Sequence, residues 1–420
     1  MTDTVFALAT PPGRSGVAVI RLSGPGAIAA AGRLCPRGLP APRAAALRWL
    51  EWDGARIDQA LVLVFPAPGS FTGEDVVEIQ CHGSPAVIRE LARILGGPLG
   101  LTPAGPGDFT RRALLNGRLS VAEVEGLGDL LAAETLRQHR QSVALFSGEA
   151  GRRAERWRGL LLRAMALNET MIDFVDDDIP ADLADEAGTL TATLVAELDT
   201  ALRQARSGAA IRTGFEVALV GRPNTGKSSF INYLAGRRAA LVSPEPGTTR
   251  DVIELRYDLA GLPLTVLDTA GLRETENSIE AAGVELATER ANAAALRVFL
   301  SPPSEIPQVP RQDGDLVRRG FADLDPAADF SALTGHGVDR LLTEIRTELE
   351  GRLAESGPFT RERHIQCLER ARDALQMSGA APELAAEACR VAGLSLDELI
   401  GRIGTETVLS EIFSSFCIGK

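Results

Sequence analysis

The sequence predicts a multidomain chain of α/β and all-α parts: an N-terminal α/β domain, a helical bundle, and a second α/β domain inserted into that bundle. Three observations carry this. A strand-like run at 215–220, FEVALV, leads through a Gly-rich turn into a helix-like segment. Stretches almost free of Pro and Gly, with apolar residues at helical spacing, lie on both sides of that block. The first 118 residues instead alternate short apolar runs with Pro- and Gly-rich turns. At 420 residues and 45% hydrophobic, the chain exceeds what a single core covers.

In order along the chain, Gly16–Leu22 and Ala60–Phe65 read as strands of the N-terminal domain, 1–118. Gly83–Leu95 reads as a helix, with Ser84 as N-cap and Pro85 at the first helical position. Residues 95–108 form a turn-rich connection. Ser120 followed by Glu123 is a capping-box signature, opening the first part of the helical domain, 119–212. Long helices are expected there, broken near Asp176–Pro180 and continuing through about Arg206. The inserted domain spans 213–345, with strands FEVALV and LTVLD. The second helical part, 346–420, is expected to be helical to its end apart from breaks at Ser356–Pro358 and Gly379–Pro382. No internal repeat is present.

Composition excludes several classes. No apolar run approaches the ~18 residues that a membrane span requires, and the N-terminus lacks the basic and apolar regions of a signal peptide. The five cysteines form no CxxC pair, which argues against a zinc site or disulfide framework and suits a reducing cytoplasm. The net charge of -12 disfavours broad nucleic-acid binding. The first 118 residues nevertheless carry 12 arginines against 9 acids, so a polyanion contact is expected there or on a partner. Of the 44 basic residues only Lys227 and Lys420 are lysines, within a composition biased toward Ala, Arg and Gly.

Gly221-Arg222-Pro223-Asn224-Thr225-Gly226-Lys227-Ser228 fits G-x-x-x-x-G-K-[ST] between a strand and a helix. Its glycines let backbone N–H groups turn toward phosphate oxygens, and the following helix offers its positive end. Asn224, Thr225, Gly226 and Ser229 line the phosphates, Lys227 reaches the β/γ-phosphates, and the Ser228 hydroxyl binds Mg²⁺. After the strand Leu264–Leu267 come Asp268-Thr269-Ala270-Gly271, an acid placed for a Mg²⁺-bound water and a glycine placed for the γ-phosphate. Between them Gly247–Asp251 offers a hydroxyl, Thr249, that completes the Mg²⁺ shell while the γ-phosphate is present, as a switch does. In this order the fragments indicate a GTPase. Leu272 stands where Ras-type GTPases carry a water-orienting Gln, so hydrolysis needs another group. Glu274, Glu276 and Glu280 are the acids available; a solvated loop is the plainer account of each.

Guanine reading usually rests on N-K-x-D. Here the segment is Gly320-Phe321-Ala322-Asp323, which keeps only the carboxylate, an acceptor for guanine N1–H and the exocyclic amine. Phe321 either covers the base face or packs as a core residue. Ser331-Ala332-Leu333 resembles the last GTPase loop, whose backbone N–H meets guanine O6.

Together with both chain ends, these residues resemble the MnmE (TrmE) family of tRNA modification GTPases over nearly the whole length. The resemblance is carried by Thr10–Arg14, Ile20–Gly24, Ser70–Asp75, Glu78–Gly83, Gly107–Ala113 with Asn116, and the closing Cys417-Ile418-Gly419-Lys420. It implies an N-terminal domain that dimerises and binds a tetrahydrofolate derivative (5-formyl or 5,10-methylene) through Arg21, Glu78 and the position of Arg118, with Lys420 nearby. Arg118 departs from the family's Lys but keeps its charge. It implies a heterotetramer with an FAD-dependent MnmG (GidA)-like partner. That complex acts on tRNA, placing a carboxymethylaminomethyl or aminomethyl group on C5 of the wobble uridine. It also implies that K⁺ replaces an arginine finger, held by Asn224 and by Ser243, Glu245 and Thr248 of the following loop, and that Glu280 organises the attacking water. Cys417 fits either an activated thiolate or part of a tail shaped for the folate pocket. The functional expectation is a cytoplasmic K⁺-activated GTPase. The alternative is a guanine-nucleotide switch or scaffold weakened at its base site.

Overall fold

The structure is a computed structural model that describes residues 3–173, 181–222, 224–237, 239–241, 254–268, 288–300, 309–377, 381–402, 413, 416, 418 and 419. Two compact units emerge, 1–128 with 400–420, and 129–399.

The first unit is built on one six-stranded sheet. Its strands are β1 (Val5–Leu8), β2 (Ser15–Ser23), β3 (Ala46–Trp52), β4 (Ala55–Phe65), β5 (Val76–Gly83) and β6 (Thr102–Pro103), in the order β3-β4-β5-β2-β1-β6. All neighbours are antiparallel except β1 and β6. Strand alternation sorts the two faces. Ile20 and Leu22 of β2, with Val77, Ile79 and Cys81 of β5, are buried in one core with α1 (Ala27–Leu34) and α2 (Pro85–Gly96). The intervening Arg21 and Glu78 turn to the opposite face, directly across from each other in the register. Helices α3 (Asp108–Leu115) and α4 (Val121–Ala132) follow. The capping box of α4 is realised: Ser120 N–H donates to Glu123 Oε2 at 2.6 Å, and Glu123 N–H to Ser120 Oγ at 3.3 Å.

In the second unit, helices α5 (Leu136–Phe146), α6 (Glu149–Asp173) and α7 (Ala181–Thr213) precede the inserted α/β domain. That domain contains β7 (Phe215–Val220), α8 (Lys227–Ala235), β8 (Ala240–Leu241), β9 (Glu254–Leu259), β10 (Leu262–Asp268), β11 (Leu296–Leu300), β12 (Leu316–Arg318) and α9 (Val338–Gly351). Helices α10 (Glu362–Gln376) and α11 (Pro382–Leu399) follow. Helix α6 packs on α7 and α11, and α10 packs on the same two, so α6, α7, α10 and α11 close a four-helix ring across the insertion. Trp157 anchors it: fully buried, stacked on Phe359 at 5.7 Å, with its indole N–H donating to Glu197 Oε2 at 2.7 Å.

The inserted sheet runs β12-β11-β7-β10-β9-β8, parallel from β12 through β10 and antiparallel beyond. Strands β7 and β11 are apolar on both faces apart from Glu216 and Arg297, as burial between helices requires. The chain's two crossings into and out of this domain are joined: Arg212 Nε donates to the Thr360 carbonyl at 3.1 Å, and the Gln138 amide donates to the Arg212 carbonyl at 3.2 Å.

The expected long helices are interrupted where the sequence showed no Pro. Thr135 caps α5 with its side chain, and Gly148, at φ 81°, separates α5 from α6. The expectation of helix to the end is corrected in the tail, where Ile418 makes an antiparallel bridge with Pro106. Among the described residues no helix is long and apolar enough to cross a membrane.

Candidate functional site

The loop from Gly221 to Gly226 joins β7 to α8 at the carboxyl ends of the parallel strands. Gly226 is the N-cap of α8 at φ 97°, and Asn224 sits at φ 63°, a conformation Asn tolerates better than most residues. A Cβ on Gly221 would lie 2.8 Å from the Leu300 carbonyl, so this position admits only glycine. Lys227, the first residue of α8, is 4% exposed, and its ammonium donates to the carbonyls of Gly221 at 2.7 Å and Arg222 at 2.8 Å. Burial pulls its pKa down, against the opposing pull of Asp268. An ammonium held by loop carbonyls over a helix N-terminus can exchange those carbonyls for phosphate oxygens without leaving its place.

Asp268 ends β10, which pairs with β7 in parallel, and is buried. The Ser228 hydroxyl donates to Asp268 Oδ2 at 2.8 Å. A hydroxyl and a carboxylate turned toward each other beside the phosphate cradle are hard oxygen ligands, and this donor set fits Mg²⁺. Ser229 is exposed on α8, and Thr225 donates from its hydroxyl to the Arg222 carbonyl at 2.9 Å. Ser243, Glu245, Thr248, Thr249, Thr269, Ala270, Gly271, Glu274, Glu276 and Glu280 lie outside the described residues.

The base-reading residues assigned from sequence converge. Ser331, fully buried, donates from its hydroxyl to Asp323 Oδ1 at 2.6 Å. The two segments are further tied by Ala322 N–H to the Phe330 carbonyl at 3.0 Å. Phe321 is not a core residue. It is 40% exposed, and its Cζ lies 3.6 Å from where a Gly226 Cβ would be, so the ring rests on the phosphate loop. Its φ of 68° is unusual for an aromatic residue and costs on the order of 1–3 kcal/mol. The carbonyl of Phe321 accepts from the N–H groups of Leu324 and Asp325, both at 2.9 Å, which holds the turn. Ala332 follows Ser331 on the same loop and is half-buried.

A second group of site residues gathers in the first unit. Arg21 meets Glu78 through Nε at 2.9 Å and through Nη2 at 2.8 Å, and its Nη1 donates to the Gly419 carbonyl at 3.3 Å. The guanidinium lies over the rings of Phe109 and Phe71, 5.6 and 5.9 Å from their centroids. The Arg118 stem packs on Gly73, with Cγ 3.2 Å from a Cβ position there, and Asn116 donates to the Thr72 carbonyl at 2.7 Å. Cys417 and Lys420 lie outside the described residues.

Three features escaped the sequence reading. Arg112, 3% exposed, holds Glu74 at 3.0 Å and Asp3 at 3.2 Å. Phe71, within Ser70–Asp75, and Phe109, within Gly107–Ala113, flank Arg21. Phe413 and Phe416 anchor the tail: the Phe413 Cδ1 is 2.7 Å from a Cβ position on Gly107, and a Phe416 ring carbon is 3.3 Å from one on Gly128. Their three-residue spacing and the two glycines are the only signals in the sequence.

Comparison with known proteins agrees along the whole chain. A family profile described as "GTP-binding protein TrmE N-terminus" matches residues 4–118, and one described as "MnmE helical domain" matches residues 121–417. A tRNA modification GTPase MnmE of Cereibacter sphaeroides (strain ATCC 17029 / ATH 2.4.9) is 51% identical over 431 residues, with 100% of each chain covered. The protein of the same name from Ruegeria pomeroyi is 49% identical over 427 residues, again over 100% of both. A solved structure of an Aquifex aeolicus Era variant bound to GDP and AlF4⁻ matches at 23% identity and a TM-score of 0.24, over 39% of this chain and 68% of that one.

Proposed function

The chain belongs to the MnmE (TrmE) family of tRNA modification GTPases, and on that premise we propose that it is a K⁺-activated GTPase. In this reading it works with an FAD-dependent MnmG-like partner and, through that complex, on tRNA. The observation that carries the nucleotide half is the Lys227–Ser228–Asp268 arrangement at the start of α8.

Lys227 releases the Gly221 and Arg222 carbonyls and pairs with the β- and γ-phosphate oxygens. The backbone N–H groups opening α8 meet the same phosphates. Ser228 and Thr249 would hold Mg²⁺, with Asp268 steadying it through water, and the ion would supply positive charge to offset that of the phosphates. Asp323 reads guanine N1–H and the exocyclic amine, and Ser331 keeps the carboxylate aimed. Asn224, Ser243, Glu245 and Thr248 offer oxygens for K⁺, which supplies the positive charge an arginine finger would bring. Glu280 orients the attacking water.

In the first unit, Arg21 and Glu78 bind a tetrahydrofolate derivative that supplies the one-carbon unit, with Arg118 and Lys420 beside it. The fit rests on the cation, carboxylate and two aromatic rings gathered around Arg21. This unit also forms the homodimer, and the complex modifies C5 of the wobble uridine.

The test is hydrolysis of GTP and ATP in K⁺ and in Na⁺. GTP-selective turnover, faster in K⁺, is expected, and equal rates in both salts remove the K⁺ assignment. A second reading, a guanine-nucleotide switch serving mainly as scaffold, is favoured by Gly320 and Phe321 in place of Asn and Lys. Nucleotide binding without turnover in either salt would select it.

A further inference from the structure

The base site has lost one reader and gained an aromatic face. Gly320 has no side chain, and a Cβ there would stand 3.1 Å from the Thr225 carbonyl and 3.6 Å from the Phe330 ring. The loop after β12 therefore lies directly on the phosphate loop, and position 320 brings no side-chain amide to the base. Guanine presents N7 and O6 as acceptors on one edge and N1–H with the 2-amino group as donors on another. An acceptor-only carboxylate serves the second edge. Asp323, steered by the fully buried Ser331, is such a group. None of the side chains of Gly320–Asp323 is a donor for N7. The Phe321 ring rests on Gly226, with 40% of the residue open to solvent. Aromatic faces stack on bases without reading their edges.

We propose that the side chains of this site read guanine only at its N1–H and 2-amino edge, by Asp323, with the Phe321 ring taking the base face, and that N7 goes unread. The inference rests on the guanine-binding reading above and narrows it to one edge of the base.

The experiment measures the affinity of the full-length protein for GTP, 7-deaza-GTP, ITP and ATP with Mg²⁺, by displacement of a fluorescent guanine nucleotide. 7-Deaza-GTP lacks the N7 acceptor, and ITP lacks the 2-amino group. Affinities for GTP and 7-deaza-GTP within about twofold are expected, with ITP weaker by roughly tenfold. A tenfold penalty for 7-deaza-GTP overturns the proposal while leaving guanine binding intact. Equal affinity for GTP, ITP and ATP overturns both the proposal and the guanine reading. Phe321→Ala is expected to weaken GTP and 7-deaza-GTP by the same factor, about five- to tenfold, as loss of a stacking face does. Unchanged affinity in that variant removes the ring from the site.

Discussion

Ser228 and Asp268 come from different elements, the first turn of α8 and the last residue of β10, yet hydroxyl and carboxylate meet at 2.8 Å. Neighbouring parallel strands make this meeting possible, because β7 delivers the loop that starts α8 on the same side of the sheet where β10 ends. Ser228→Ala removes a hard oxygen from the metal position and nothing from the phosphate cradle. Affinity for GDP should fall at least ~10-fold with Mg²⁺, about 1.4 kcal/mol, and match wild type in EDTA. Equal affinity in both conditions would place the metal elsewhere.

Arg112 is the buried tie of the first unit, with Glu74 14% exposed in side chain and Asp3 at the rim. Removing one member of a buried pair strands the other. Arg112→Ala should cost about 3–5 kcal/mol, seen as a lower urea midpoint for unfolding of the first unit. Arg112→Lys keeps the charge and loses the fork, so its loss should be smaller. A midpoint unchanged in Arg112→Ala would show that the pair is strained or solvated.

The tail's seat depends on Gly419, at φ 97°, where a Cβ would fall 2.5 Å from the Leu8 carbonyl. Gly419→Ala cannot be accommodated without moving the tail off β1, which also withdraws the carbonyl that Arg21 holds. Carboxypeptidase should shorten the variant several-fold faster than wild type. Indistinguishable digestion would mean the tail is not held there.

Cys35 and Cys81 sit in the sheet–helix core, and burial pushes both thiols from 9.0 up to about 11; Arg48 opposes this at Cys35, and Asp58 adds to it at Cys81. At pH 8 on the order of a thousandth of either thiol is ionised, against roughly a tenth in the unfolded chain. Iodoacetamide should spare both in the native protein and modify both in urea. Between pH 9 and 11 the unfolded chain sheds protons that the folded chain keeps, so these thiols lower stability as pH rises through that window. Rapid native labelling at pH 8 would contradict their burial.

Legibility from sequence followed the range of the interaction. The Gly221–Ser228 loop, its strand at 215–220 and the Ser120–Glu123 box are local, and each is found where the residues placed it. Ser84 marks the position before α2 correctly, with extended backbone, yet makes no side-chain cap bond, so Pro85 carries the start. The order β3-β4-β5-β2-β1-β6 was not legible, because register between strands some 60 residues apart leaves no periodic trace. The Arg21–Glu78 pair is of this kind: the family resemblance assigned both residues, but only the register places them face to face. Phe321 is the opposite case, since its type was plain while its resting place on Gly226 required the fold.

The burial of Lys227 has a practical corollary in a chain whose other lysine is its last residue. A lysine-specific endoprotease has one internal site here, and that site is the first residue of α8, 4% exposed. Cleavage there would separate the phosphate loop from its helix in a single cut. The native chain is thus a reporter of its own P-loop, in which the release of two fragments, rather than a ladder, signals that the loop has opened.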